Sequence, residues 1–246
     1  LPVFLVHGFP LDHTIWQPVL EHLQGVAQFI LPDLRGHGAS PVPKGPYPMT
    51  DMAGDLLELA DALGVDSAVW VGHSMGGYVC LSLASTHPER VAGLGLVSSH
   101  PLADSPERRQ ARLSNAQAVL DGGQEQVLEG MVSFLSPDED VRQSCLALMR
   151  RTDPRGVAGA LMGMADRPDT SFVLEGLAAP ILVLAGEQDR LLPIDAARRA
   201  FELTRQGIWR QVPNCGHMPM LEAPKIVAAA ILDLIHAAIR RINPPS

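Results

Sequence analysis

Residues 69–81 read Val-Trp-Val-Gly-His-Ser-Met-Gly-Gly-Tyr-Val-Cys-Leu, and this stretch restricts the fold more than any other. A short apolar run (68–71) ends in Gly72-His73-Ser74-Met75-Gly76, and an apolar helical pattern follows at once. Gly-x-Ser-x-Gly carries meaning in this strand–turn–helix setting. A strand that reverses directly into a helix forces the central residue into a strained conformation. The residues two positions away must then lack bulk. Gly72 and Gly76 meet that need, and Gly77 lets the helix lie close to neighbouring strands. Such a turn holds the Ser74 hydroxyl above the sheet, at the positive end of a helix beginning near Met75.

The rest of the chain repeats the strand–helix rhythm. Val3 to Val6 is a short continuous apolar run, as in a strand covered on both faces, and ends in His7-Gly8-Phe9-Pro10. Thr14 is expected to cap a helix over 15–23, and 29–31 reads as a strand. A proline-rich loop (41–48) precedes a helix from Thr50, stopped by Gly64. After the elbow come a strand over 91–97, then a stretch from 102 to 177 with helical patterns at 111–120, 124–135, 138–151 and 156–164 and no good strand. The rhythm resumes with strands at 180–185 and 208–212, a helix at 194–204 and a last helix from Pro224 to about residue 241. This alternation predicts an α/β fold: a mostly parallel sheet with helices on both faces, formed by 1–101 and 178–246. Residues 102–177 are expected to form a small helical lid over the strands' C-terminal ends.

Composition narrows the partners. Net charge is −8 with mixed signs, and the one basic run, Arg108, Arg109 and Arg112, lies among acidic and polar residues and reads as a solvated helix face. Nucleic acid and membrane are therefore not expected as partners. Three cysteines (Cys80, Cys145, Cys215) have no metal-ligand spacing and cannot all pair, so reduced thiols and a cytoplasmic setting are expected. The longest apolar run is broken by Asp233 and His236. The first residue is Leu1 rather than methionine, which leaves a trimmed terminus or removed leader open. No metal or cofactor is expected.

In open parallel sheets functional groups gather beyond the C-terminal ends of strands. Four such ends here carry His7-Gly8-Phe9, Ser74, Asp189 and His217. Serine alone is a poor nucleophile; a histidine can take its proton, and a carboxylate can fix the imidazole's tautomer. Ser74, Asp189 and His217 occur in the chain order of the α/β-hydrolase triad. Glu187 and Asp195 compete with Asp189, but Glu187 lies too near the strand end and Asp195 suits a helix's first turn. His7 and His37 sit beside glycines in turns and read as structural, whereas His73 should face away from Ser74. Asp33 and Arg35 should pin their own loop, and Cys215 should be a buried neighbour of His217.

The chain resembles the α/β-hydrolase fold superfamily, in the serine esterase group that also holds cofactor-free haloperoxidase/perhydrolases, enol-lactonases and carbon–carbon bond hydrolases. The resemblance rests on the elbow, His7-Gly8-Phe9-Pro10, the segment Asp33-Leu34-Arg35-Gly36-His37-Gly38-Ala39-Ser40, Gly186-Glu187-Gln188-Asp189 before Pro193, and Gly216-His217 ahead of Glu222-Ala223-Pro224. It covers nearly the whole chain, least well the helical stretch. The fold usually has two strands before the one ending in His-Gly, and this chain starts on that strand. Either the terminus was lost or the sheet is short by two strands; if short, the 29–31 strand becomes an exposed edge that must be covered or paired.

The resemblance implies that Ser74 attacks an ester-type carbonyl, His217 removes its proton and Asp189 stands behind the imidazole. The backbone N–H groups of Phe9 and Met75 would hold the oxyanion. Because His217 must be neutral to act, turnover should fall on acidification. Met131, Phe134, Met162, Leu191 and Met218 are the candidate pocket side chains; for the methionines of the helical stretch, plain core packing competes with a pocket role. Serine at position 74 argues against dehalogenase and epoxide-hydrolase chemistry, which uses aspartate there. A small ester or lactone is the expected substrate. Enol-lactone opening, carbon–carbon hydrolysis and perhydrolysis use the same triad, and a non-enzymatic small-molecule receptor is a further alternative.

Overall fold

The computed structural model describes residues 1–243. Six parallel strands form one sheet: β1 (Val3–Val6), β2 (Phe29–Ile30), β3 (Ala68–His73), β4 (Val91–Val97), β5 (Ile181–Gly186) and β6 (Gly207–Val212), in the order β2-β1-β3-β4-β5-β6. The pairing β1–β3 runs Val3 with Val69 through Val6 with Gly72, which brings the ends of these two strands level. Among the described residues β2 is the outermost strand on its side, and it pairs through only two residues, Phe29 and Ile30. So short an edge offers little template for another chain.

Side chains alternate between two cores, as the pleat requires. Phe4, Val6, Trp70, Leu94, Ile181 and Val183 point to one face, where α2 (Met49–Ala62), α3 (Met75–Thr86) and α9 (Ile194–Glu202) pack. Val3, Leu5, Val69, Val71, Leu182 and Leu184 point to the other, toward α1 (Gln17–Leu20) and α11 (Pro224–Ile242). Full burial of such a side chain contributes about 1.5–3 kcal/mol. Phe4 and Trp70 stack at 4.1 Å across β1 and β3, and the Trp70 indole N–H donates to the Arg90 carbonyl at 2.9 Å. A ring that large can therefore be fully desolvated without an orphan donor.

The first helix departs from expectation. Thr14 does not cap it; the Asp12 carboxylate accepts the Thr14 N–H at 3.0 Å and also binds the Thr14 hydroxyl. A 3₁₀ turn (His13–Trp16) follows, then only four α-helical residues, shorter than 15–23. A carboxylate two residues ahead outcompetes the hydroxyl as the acceptor for that first turn.

Between β4 and β5 the chain is helical: α4 (Pro106–Ala118), α5 (Gln124–Val132), α6 (Glu139–Met149), α7 (Pro154–Ala165) and the unforeseen short α8 (Ser171–Gly176). Another unforeseen short helix, α10 (Pro219–Glu222), precedes α11. Several hydrogen bonds fasten the helical stretch to loops beyond strand ends. Thr152 Oγ1 donates to Pro10 O at 3.0 Å, Thr170 N to Pro101 O at 2.9 Å, and His217 N to Leu135 O at 2.7 Å. These helices thus lie over the C-terminal edge of the sheet. Among the described residues no helix is long and apolar enough to cross a membrane.

Gly76 and Gly54 give a matched test of close packing. A Cβ on Gly76 would run into the carbonyl oxygens of Val6 and His7, whereas one on Gly54, inside α2, would meet nothing within 4 Å. Gly76→Ala should destabilise by about 2–4 kcal/mol through forced backbone shifts. Gly54→Ala should stabilise by about 0.5–1 kcal/mol. Urea unfolding of both variants measures the difference; equal effects would contradict the packing described.

Candidate active site

Ser74 occupies the turn between β3 and α3 with φ 50° and ψ −114°. For a non-glycine residue this is strained, at a cost of order 1–3 kcal/mol, and it persists only if the surroundings over-determine it. They do. The Ser74 N–H donates to Val97 O at 2.9 Å, and its carbonyl accepts Ser99 Oγ at 2.8 Å and Gly77 N at 2.9 Å. A Cβ on Gly72 would collide with the Gly76 carbonyl, and one on Gly77 with the Ser99 side chain. The three glycines therefore set how closely α3 sits on β1, β3 and the loop after β4.

Asp189 follows β5 and His217 follows β6. His217 Nδ1 lies 2.8 Å from Asp189 Oδ2, and both side chains are buried. The other carboxylate oxygen accepts the N–H groups of Leu191 (2.9 Å) and Leu192 (2.8 Å). Burial would raise this carboxyl; the imidazole and the two N–H groups outweigh it and hold Asp189 below the usual carboxylate range. An ionised carboxylate accepts from Nδ1–H, which leaves Nε2 as the lone-pair nitrogen.

Ser74, His217 and Phe9 all line one cavity of 870 Å³. Among the described residues Ser74 Oγ makes no hydrogen bond, so the serine–imidazole contact is not formed in this conformation. The Phe9 N–H likewise has no acceptor among them, and Met75 opens α3, where a backbone N–H has no intrahelical partner. Met131, Phe134 and Leu191 line the same cavity. Met162 does not: it faces a separate cavity of 240 Å³ behind Tyr78 and His100. Nor does Met218, which is fully buried in the core on the α11 side, because α10 starts directly after it and turns it inward.

His7, His37 and His73 serve the scaffold. His7 is fully buried; its Nε2 accepts the Leu34 N–H at 2.9 Å, and Nδ1 lies 2.9 Å from Gly8 O. His37 binds Arg35 O through Nδ1, and burial beside His7 pushes its pKa down to about 3. His73 faces away from Ser74, but it has a task the sequence did not disclose. Its Nε2 lies 2.9 Å from the His217 carbonyl, with burial, then His217, lowering its pKa to about 3. A neutral ring donating through Nε2 thus ties the end of β3 to the His217 loop. Glu222 braces that loop from the other side, accepting Gly216 N at 2.9 Å and Met218 N at 3.1 Å. Burial, with Glu222 adding to it, raises the Cys215 thiol, which is inert as a nucleophile. Arg35 reaches past its own loop and clasps Asp55 on α2 with two bonds of 2.6 Å, while Asp33 holds His13 and Ala39.

The basic run is the chief correction. Arg109 is solvated and pairs with Asp166, yet Arg108 and Arg112 line the cavity, and Arg112 is largely buried there. Tyr78 and His100, unremarked in the sequence, line it too. Tyr78 follows Ser74 by four residues, the helical spacing that puts both on one face, and this was the available signal.

A sequence profile of the alpha/beta hydrolase fold matches residues 2–224. A thermophilic esterase from Thermogutta terrifontis, solved with malate bound, superposes with a TM-score of 0.93 at 36% identity, over 97% of this chain and 90% of its own. The enol-lactonase of Burkholderia xenovorans LB400 shares the fold at TM-score 0.87 and 23% identity, over 96% and 91%. A protein of Azorhizobium caulinodans named as the carbamate hydrolase RutD is 30% identical over 200 residues, 78% of this chain and 75% of its own.

The depressed Asp189 carboxyl has a thermodynamic signature. A lowered folded-state pKa contributes stability that is present above the unfolded value, about 3.9, and is lost as pH falls through the folded value. The stability gap between the native chain and Asp189→Asn should therefore narrow from pH 7 to pH 3. Urea unfolding at both pH values checks this, and an undiminished gap would contradict it.

Proposed function

The chain belongs to the α/β-hydrolase fold family, and on that premise we propose that it is a serine hydrolase cleaving small carboxylic esters through an acyl-enzyme. One observation carries the reading most: an imidazole hydrogen-bonded to a buried carboxylate at 2.8 Å shares a cavity with a serine held in a strained turn. Strain of this kind collects at reacting residues, because only a scaffold that needs the geometry sustains it. The esterase at 36% identity supports the same class of chemistry.

Each residue takes one role. Ser74 Oγ forms a bond to the ester carbonyl carbon as His217 Nε2 takes its proton; the carbonyl electrons move onto oxygen. Phe9 and Met75 N–H groups receive that oxyanion, at a worth of about 3 kcal/mol each. The intermediate then expels the alkoxide, which leaves as the alcohol with the proton from His217. Water repeats the sequence on the acyl-enzyme, giving the carboxylic acid and restoring Ser74. Asp189 keeps the imidazole in the useful tautomer and stabilises its charged form. A serine–imidazole bond of this kind is often long before substrate binds and tightens in the complex. Carbamate cleavage is the second reading, favoured by the 30% identity to the relative of that name. It needs the same attack on a carbonyl and differs in the leaving group.

Small esters or lactones are the partners this site suits, with neither nucleic acid nor membrane required. Ser74→Ala should lower turnover of p-nitrophenyl butyrate by at least about 10⁴-fold. Steady-state kinetics decide the matter, and a variant keeping most of its activity would remove the serine mechanism.

A further inference from the structure

The cavity wall formed by α4 carries more positive charge than its own structure consumes. Three guanidiniums gather on one buried carboxylate, Asp104. Arg112 Nε donates to Asp104 Oδ2 at 2.5 Å, Arg167 lies 2.9 Å from Oδ1, and Arg108 lies 3.4 Å from Oδ1. Asp104 and Arg167 are almost wholly buried, so they form the base of the cluster. Arg112 and Arg108 stand above it and line the cavity. Three cations against one anion leave two charges unbalanced. The only other acid on the cavity wall among the described residues is exposed Asp121, which is held by Gln117 at 2.9 Å. Asp166, the next acid along, is engaged by Arg109.

Two neutral groups extend the cluster toward Ser74. His100 Nδ1 accepts the Leu102 N–H at 3.2 Å, so the ring proton of this neutral histidine sits on Nε2. Nε2 lies 3.3 Å from Tyr78 Oη, which therefore accepts, and the tyrosine's own proton is free for another acceptor. Arg167 stacks over the Tyr78 ring at 4.0 Å, fixing the phenol in place. Tyr78 stands one turn after Ser74 on α3, roughly 6 Å along the helix axis. A hydroxyl donor thus lies between the nucleophile and the arginines, with Asn115 beside them on the wall.

A purely structural cluster would close on itself. Here Arg112 spends Nε on Asp104 and Nη1 on Met164 Sδ, while Nη2 has no partner among the described residues; Arg108 keeps both terminal nitrogens free of side-chain partners. The cavity, at 870 Å³, is also far larger than a short neutral ester fills. We propose that the Arg108–Arg112 wall is a carboxylate subsite, so that the preferred substrates are half-esters: molecules with an ester at Ser74 and a free carboxylate a few carbons away. A planar carboxylate matches the guanidinium fork, and its charge meets the uncompensated pair. This substrate class rests on the hydrolase reading, although the subsite itself does not.

Binding to the Ser74→Ala chain separates the two. Monomethyl adipate and dimethyl adipate differ by one charge and one methyl group, and calorimetry gives both dissociation constants without turnover. The monoester should bind at least about tenfold more tightly. In the Ser74→Ala background, Arg112→Gln and Arg108→Gln should each cut that ratio severalfold, and Arg112→Lys should retain part of it. Arg108→Gln serves alone if the buried Arg112→Gln fails to fold, since two arginines then still hold Asp104. Equal affinity for the two esters, or a ratio unmoved by Arg108→Gln, would overturn the subsite. Carboxylate-dependent binding in a chain whose native form cleaves no ester would sustain the subsite and overturn the hydrolase reading instead.

Discussion

The close approach of α3 to the ends of β1 and β3 is the constraint on which the rest of the structure depends. It requires that Gly72, Gly76 and Gly77 present no side chain, because the Gly76–Gly77 backbone, the carbonyls of Val6 and His7 and the side chain of Ser99 respectively occupy that space. Given that contact, the chain between strand and helix has one residue in which to reverse, and Ser74 takes a positive φ. The helix N-terminus then points its free N–H groups at the ground above the sheet. Loops from β1, β5 and β6 end at the same level because the strands are parallel and in register with β3. Sheet topology and three missing side chains therefore bring Phe9, Ser74, Asp189 and His217 to one edge.

Histidine shows how one residue type is sorted by surroundings. His7, His37, His73 and His100 are all deeply buried, and burial lowers the pKa of each. As neutral rings they donate through one nitrogen, and His7 and His100 also accept a backbone N–H on the other. They act as rigid braces. His217 is set apart by Asp189, whose ionised carboxylate can stabilise the positive charge that a proton from serine would create on the ring. His73 and Glu222 then restrain its backbone from two sides. The imidazole's position is thus decided by Asp189 on the ring and by the contacts of its backbone with β3 and Glu222 of α10.

The elbow, the strand-end histidine and the acid were legible in the sequence because each is a local pattern: a strand, a turn that needs glycine, and a polar residue at a fixed offset. Residues governed by packing between distant segments were not. Arg112 looked like part of a solvated face because its neighbours in sequence are polar. It turns inward because α4 packs on α7 and on the loop bearing Asp104. Met218 looked like a pocket residue from its place beside His217, yet α10 begins there and sends it into the core. The short helix at Gln17–Leu20 fell to the Asp12 cap, a competition between two adjacent acceptors that residue preference alone ranks poorly.

Most of the scaffold answers to packing alone, and the strained serine and the buried Asp189–His217 pair are where the proposed chemistry is open to test. The most direct measurement is stoichiometric reaction with a fluorophosphonate, which modifies only serines activated as nucleophiles, followed by mass spectrometry of the modified peptide. One adduct per chain, on Ser74 and abolished by His217→Ala, is the predicted result. No adduct, or one on another residue that survives the loss of His217, would contradict the claim that this fold exists to activate Ser74.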